Sequence, residues 1–125
     1  MAGYSAFVHG HEDPLLDDVQ MALSLWQRFR GLMMRRDLPA GSGLYFPDCT
    51  SIHCFFMRFP IDVAWLDEDG RVVKLVPGLR PWRVSASRRA HGVLEMRAGC
   101  AADFGLEVGD RVRFVAGRGT EATAR

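Results

Sequence analysis

Apolar and polar residues alternate with a period of two early in the chain, and short runs bounded by turn residues follow further along it. Residues 19–25 alternate in this way, and residues 61–66 and 71–79 are strand candidates that flank the sequence DEDG at 67–70. A two-residue period is typical of a half-buried strand, and the glycine in the last turn position supplies the positive φ that a hairpin needs. The same signals predict further strands at residues 44–46, 51–57, 93–97 and 111–116.

A helical period follows the first of these strands and predicts the main helix. Ser24 and Gln27 have the spacing of a capping box, and Pro39 ends the pattern. The apolar positions that recur at helical spacing between them are Trp26, Phe29, Leu32 and Met33. A second, short helical turn is predicted at residues 99–104, with Gly105 as its C-cap.

Together these elements predict a strand-dominated α+β domain with about six short strands and one main helix. The short spacing of the strands favours an antiparallel sheet that curls into a partly closed barrel and hides its edges. Residues 1–18 mix Gly, His, Asp and Pro without a clear period, so we expect an N-terminal tail that pairs weakly or stays mobile. The single globular domain is expected at residues 19–116, with a long loop at 78–91 and a polar tail at 117–125.

Composition and charge narrow the class of protein. The chain has 125 residues, of which 48% are hydrophobic and 25% charged, as in a soluble globular protein with one core. Its formal net charge of +1 provides no global field that would attract nucleic acid or an anionic membrane. No apolar stretch approaches the roughly 20 residues of a membrane span, and the start lacks the pattern of a signal peptide. We therefore expect a cytoplasmic protein.

The cysteines are Cys49, Cys54 and Cys100, an odd number without a Cys-x-x-Cys pair. This spacing argues against a disulfide framework and against a structural zinc site, so we expect neither a bound metal nor a cofactor. One alternative keeps an enzymatic role, in which a hydrolase or metal-assisted enzyme uses His53 with Cys49 and Asp62. Another alternative is a structural module of a larger assembly.

The leading interpretation is a small binding or accessory domain that recognises an anionic or aromatic small ligand in a pocket between the helix and the barrel mouth. Arginine and tryptophan suit such a ligand, through directed cationic donors and an apolar stacking face. The candidate ligand-binding residues are Arg28, Arg35, Ser51, His53, Asp62, Trp82, Arg83 and Glu95. The alternative reading of the charged ones is a structural arginine–carboxylate pair. Either way, Asp62 and Glu95 are expected to be at least partly buried and near an arginine, because an unpaired carboxylate beside a strand core is costly.

Several short strings resemble one protein family in both order and spacing. They are RFRGLMMR at 28–35, GLYF at 43–46, FPID at 59–62, LD at 66–67, VLEM at 93–96, AG at 98–99 and GD at 109–110. They resemble the domain of unknown function 192 family, and the resemblance extends over residues 19–115. It implies a compact β-rich fold and no particular reaction. Many members carry Trp-Met-Lys-Asn-Thr where this chain has HCFFM at 53–57, so no role of that Lys or Asn transfers to it.

Overall fold

Strands dominate the computed structural model, which describes residues 3–21, 38–53, 59–80 and 83–116. These ranges contain nine strands and one short helix. In chain order the elements are β1 (Gly3–Val8), β2 (Leu16–Met21), β3 (Ser42–Pro47), β4 (Ser51–His53), β5 (Ile61–Leu66), β6 (Val72–Leu79), β7 (Val84–Ala86), β8 (Gly92–Arg97), α1 (Cys100–Phe104) and β9 (Val112–Ala116).

Seven strands form one mixed sheet in the order β6-β5-β8-β3-β2-β1-β9, and β4 pairs with β7 in a separate two-stranded sheet. Neighbouring strands of the large sheet are antiparallel except β2 and β3, which run parallel. The prediction of an antiparallel sheet is therefore wrong for this pair. Parallel neighbours need a connection of about a dozen or more residues, and residues 22–41 separate β2 from β3.

The large sheet does not close into a barrel, and β6 and β9 form its two edges. Near one end of these edges an isolated bridge joins Arg71 to Arg111. Beside the bridge, the N–H of Val112 donates to the carbonyl of Gly70 at 2.8 Å. Gly70 has a φ of 83°, and a Cβ at this position would overlap the carbonyl of Val112. The glycine thus serves the predicted hairpin turn and also allows the two edges to approach each other.

Several predicted elements coincide with observed ones. The strand β5 has the predicted limits, while β6, β8 and β9 each begin within one residue of the predicted position. Gly99 and Gly105 flank α1 with φ of 93° and 87°, which confirms the predicted turn and its C-cap. The strand expected at 51–57 begins as β4, and its residues 54–57 lie outside the described ranges. The residues of the predicted main helix, from Ser24 to 37, also lie outside them.

Two regions expected to lack regular structure contain strands. In the segment assigned to an N-terminal tail, β1 pairs with both β2 and β9, and Ala6 and Val8 are buried. The segment assigned to a loop at 78–91 contains β7, which pairs with β4. The strand β7 pairs with a distant partner, and β1 pairs with the distant β9 as well as with its neighbour β2. Pairing between distant segments leaves little trace in the local apolar pattern.

The two sides of the large sheet carry separate buried clusters. The Glu95 face, on the side that carries the Glu95 side chain, comprises Leu38, Leu44, Phe46, Cys49, Ile61, Val63, Trp65, Leu79 and Val93. The Asp62 face, on the opposite side, comprises Ala6, Val8, Leu15, Leu16, Val19, Ala64, Leu66, Val72, Leu94, Met96, Ala101, Leu106 and Val112. Every residue of β5 is buried, so this strand contributes to both faces.

Candidate functional site

Asp62 lies on β5 and is 1% exposed. Its Oδ1 accepts a hydrogen bond from the backbone N–H of Gly78 at 2.8 Å. Its Oδ2 accepts two more, from the N–H groups of Gly99 and Ala101, each at 3.0 Å. The carboxylate therefore joins β5 to β6 and to the start of α1, which is a structural role that compensates for its removal from water.

Glu95 lies on the neighbouring strand β8 and is also 1% exposed. Its cross-strand neighbours are Leu44 on β3 and Val63 on β5, both apolar. No residue of the described ranges donates or accepts a hydrogen bond at its Oε1. Burial raises the pKa of Glu95 to about 8 because the ionised form loses its hydration. At neutral pH the group is therefore mostly an uncharged carboxylic acid, with one O–H donor.

Aromatic side chains lie next to Glu95 on the same face. Val93, two residues earlier on β8, pairs with Phe46 on one side and Trp65 on the other. The indole Nε1–H of Trp65 donates to the Oγ of Ser85 on β7 at 2.9 Å. The small β4–β7 sheet is thereby attached to the Glu95 face. This end of the face combines a large apolar surface with a hydrogen bond that orients the indole.

Neither Asp62 nor Glu95 forms an ion pair with an arginine of the described ranges. Their predicted burial is confirmed. For Asp62 the polar partners are backbone amides instead of a guanidinium. The two carboxyl groups point to opposite sides of the sheet, so they do not form one site.

The remaining predicted site residues are described to different extents. Arg28, Arg35 and Trp82 lie outside the described ranges. The backbone of Ser51 and His53 belongs to β4, but their side chains are among those the structure does not describe. Arg83 is exposed, and its backbone N–H donates to the carbonyl of Arg80 at 3.2 Å in a turn that leads into β7.

The hydrolase alternative requires Cys49 and Asp62 to act on one site. Cys49 is buried on the Glu95 face, whereas the carboxylate of Asp62 contacts backbone amides on the opposite side. Asp62 is therefore not positioned to orient a base beside Cys49. Within the parts of the chain that are described, no three His, Cys, Asp or Glu side chains gather closely enough to hold a metal ion.

The structure reveals a histidine–carboxylate pair that the sequence analysis did not identify. His91 Nε2 lies 3.6 Å from Asp48 Oδ1, and the N–H of Asp48 donates to the carbonyl of His91 at 2.7 Å. Asp48 has a φ of 54°, an uncommon value for a residue other than glycine. Both side chains are largely exposed, and such pairs contribute little energy in water. In the sequence, the one indication of this pair was that Asp48 lies in a turn before a short strand.

Two cations lie on the same side of the large sheet as Glu95 by strand register. Arg97 follows two positions later on β8, so the alternation of the strand places it on the same side, opposite Ile61. Lys74 pairs with Trp65 across β5 and β6, and its Nζ donates to the carbonyl of Ala86 at 2.8 Å. Sequence alternation alone would have grouped Arg97 with Glu95.

No helix in the described ranges has the length and apolar character needed to span a membrane.

Comparison with known proteins gives consistent matches along most of the chain. The model of the domain of unknown function 192 family, described as an uncharacterised ACR, matches residues 8–114. A UPF0127 protein of Pyrococcus furiosus is 33% identical over 105 residues, covering 78% of this chain and 86% of its own length. A UPF0127 protein of Thermococcus kodakarensis is 33% identical over 101 residues, or 77% of this chain. That match spans 64% of the Thermococcus kodakarensis protein, and a second UPF0127 relative, of Thermococcus sibiricus, is matched over the same share of its length.

Two solved structures share the fold. A Sinorhizobium meliloti protein described as a "putative transcription regulator" superposes with a TM-score of 0.80 at 25% identity, covering 90% of this chain and 94% of its own. A protein of unknown function from Novosphingobium aromaticivorans superposes with a TM-score of 0.76 at 24% identity, covering 87% and 83% respectively. These likenesses establish the architecture.

Proposed function

Since this chain belongs to the domain of unknown function 192 family, which is uncharacterised, we propose a function from its own geometry. The domain is a small binding or accessory protein of the cytoplasm, and it recognises an anionic or aromatic small ligand on the Glu95 face. The observation that carries the proposal is the buried Glu95 carboxyl, whose Oε1 has no hydrogen-bond partner in the described ranges.

An unsatisfied buried carboxyl is unfavourable for folding, which supports a functional reading of Glu95. A buried polar atom without a partner costs about 1–3 kcal/mol of stability. The flanking positions on β3 and β5 are Leu44 and Val63, so an apolar residue at position 95 would pack with similar neighbours and avoid this cost. Residues that reduce stability and have no structural role are concentrated at functional sites.

The charge around Glu95 favours an anionic ligand over a cationic one. Glu95 is mostly uncharged at neutral pH because burial raises its pKa to about 8. By strand register the described cations Arg97 and Lys74 belong to the same side of the sheet, further from Glu95 than its direct neighbours Leu44 and Val63. Trp65 and Phe46 lie on that side as well, and they provide the apolar surroundings that an aromatic ligand prefers.

The description of the Sinorhizobium meliloti protein as a transcription regulator does not direct this proposal. A chain with a formal net charge of +1 lacks the strongly basic surface on which nonspecific DNA affinity depends. Nucleic acid is therefore not among the proposed partners. The odd number of cysteines, without paired spacing, supports a reducing compartment.

A thermal-shift experiment tests the proposal with three probes of one shape and different charge, namely benzoate, benzamide and benzylamine. Benzoate or benzamide is expected to raise the Tm of the protein more than benzylamine, because a ligand that binds the native state stabilises it. Glu95→Met is the matched control, since it keeps the side-chain length and removes the polar atoms.

The stability of the control variant, Glu95→Met, should also differ from that of the original protein. Glu95→Met should fold and be more stable than the original protein by about 1–2 kcal/mol, because an unsatisfied buried polar group is lost. Its Tm should not respond to benzoate. If none of the probes shifts the Tm of the original protein, or if Glu95→Met responds equally, the Glu95 face is not the binding site.

A further inference from the structure

We propose that the Glu95 face takes a monocarboxylate with an apolar body, and that the protonated carboxyl of Glu95 donates a hydrogen bond to the ligand carboxylate. This inference rests on the proposed function and names the ligand class and the proton requirement of the same site. The argument uses the donors, the charges and the burial around Glu95.

The number of donors near Glu95 favours a carboxylate over a phosphate. Among its described neighbours across the sheet and along the strand, Leu44, Val63 and Val93 provide no polar side-chain atoms, and Arg97 provides one guanidinium. A dianionic phosphate requires several donors when it is removed from water, whereas a carboxylate carries one charge on two oxygens. A hydrogen bond from an acid O–H to a carboxylate is short and charge-assisted, and it satisfies both partners.

The cations on the Glu95 face set the position of the charged end of the ligand. Arg97 is exposed and lies two residues from Glu95 along β8, with Ile61 as its cross-strand neighbour. Lys74 is held further away, where its Nζ donates to the carbonyl of Ala86. We therefore place the carboxylate between Glu95 and Arg97, with the apolar body towards Val93 and Trp65.

No other titratable group that the structure describes near these strands is paired with Glu95. Cys49 is the titratable group within the buried cluster of this face. Tyr45 on β3 packs with the opposite cluster, and Asp62 on β5 also points to that side. The exposed pair of Asp48 and His91 lies beyond the end of β3. Burial is the cause of the raised pKa of Glu95, which is about 8.

A requirement for protonated Glu95 makes binding depend on pH in one direction. Below about pH 7 the free site already holds the proton, so the affinity for a carboxylate should be nearly constant. Above about pH 8 the site must take up one proton for each ligand bound, and the affinity should fall about tenfold per pH unit. A cationic ligand would show the opposite trend, because it would bind the ionised form.

Isothermal titration with benzoate, across a series of pH values, tests this dependence, and far-UV circular dichroism at each pH verifies that the protein is folded. Two variants serve as matched controls. Glu95→Gln keeps an N–H donor and does not titrate, so it should bind benzoate with an affinity that no longer changes with pH. Glu95→Met keeps the length without a donor, so its affinity for benzoate should fall by at least about tenfold, the loss for one hydrogen bond to a charged group.

Phenyl phosphate and cyclohexanecarboxylate separate the ligand classes. Cyclohexanecarboxylate should bind with the same pH dependence as benzoate, and phenyl phosphate should bind more weakly. Binding of benzoate that is independent of pH in the original protein, or tighter binding of phenyl phosphate, would overturn this inference and leave the proposed function standing. Absence of binding by every probe would overturn both.

Discussion

Asp62 and Glu95 are two buried carboxyl groups on adjacent strands of one sheet, and they differ in almost every energetic respect. Each is 1% exposed, and the register pairs Val63, the neighbour of Asp62, directly with Glu95. Asp62 points to one side, where its oxygens accept three backbone N–H bonds. Glu95 points to the other side, where its Oε1 has no partner in the described ranges.

The difference shows that burial of a charge-bearing residue does not by itself identify a functional site. The three amides around Asp62 replace the water that the carboxylate loses, so the group connects β5, β6 and α1. The described neighbours of Glu95 offer no partner to its Oε1, and burial raises its pKa to about 8. The satisfied group serves the fold, and the unsatisfied one is the better candidate for recognition.

Removal of the Asp62 carboxylate has the largest expected effect. Asp62→Ala should lower the free energy of unfolding by about 3–5 kcal/mol, because three amide donors lose a charged acceptor. Asp62→Asn is the matched control, and it should fall between Ala and the original residue because one side-chain oxygen remains. Urea denaturation measures both values. A loss below about 0.5 kcal/mol in Asp62→Ala would show that the three bonds are energetically unimportant and would remove the contrast with Glu95.

The second-largest expected effect is a dependence of stability on pH, and it reports on the titration of Glu95. Its pKa is raised from 4.5 to about 8 on folding, so between these values the folded chain holds a proton that the unfolded chain has released. The contribution of Glu95 to stability is therefore fully present below about pH 4.5 and is lost as the pH rises towards about 8. Between about pH 5.5 and about pH 7.5 the expected loss is about 2–3 kcal/mol.

Glu95→Gln is the control for this dependence. The amide resembles the protonated acid and does not titrate, so the variant should lack this component of the pH dependence. Urea denaturation at several pH values, for both proteins, measures the difference. If the two proteins lose stability in parallel over this range, the pKa of Glu95 in the folded chain is close to that of an ordinary glutamate.

Local patterns in the sequence predict the elements that local interactions determine. The short run at 61–66 and the glycine of the following turn predict β5 and its hairpin with β6, and the glycines at 99 and 105 predict α1. The strand β1 was missed, and the parallel pairing of β2 with β3 was not anticipated. The pairing of β1 with β9 and that of β2 with β3 join separate segments, which a pattern along one segment does not contain.

The candidate site shows the same division. Apolar neighbours in sequence are sufficient to predict that Asp62 and Glu95 are buried. The partners of Asp62 are 16, 37 and 39 residues away, and they are backbone amides, which every residue other than proline carries. Sequence alone therefore predicts an arginine as the partner of Asp62. In the structure, three backbone amides satisfy its carboxylate instead. The three-dimensional structure is needed to distinguish the satisfied carboxyl from the unsatisfied one.

The hydrogen bond between Trp65 and Ser85 gives the smallest expected effect and extends the comparison to a neutral group on the Glu95 face. Ser85→Ala leaves the buried indole N–H of Trp65 without its acceptor, now 2.9 Å away, so stability should fall by about 1–2 kcal/mol. Ser87→Ala is the matched control, because the bond of its backbone N–H to the carbonyl of Thr50 is retained. That variant should stay within about 0.5 kcal/mol of the original protein in urea denaturation. If Ser85→Ala also stays within about 0.5 kcal/mol of the original protein, satisfaction of a buried polar group on this face carries no measurable energy, and the unsatisfied Oε1 of Glu95 loses its significance.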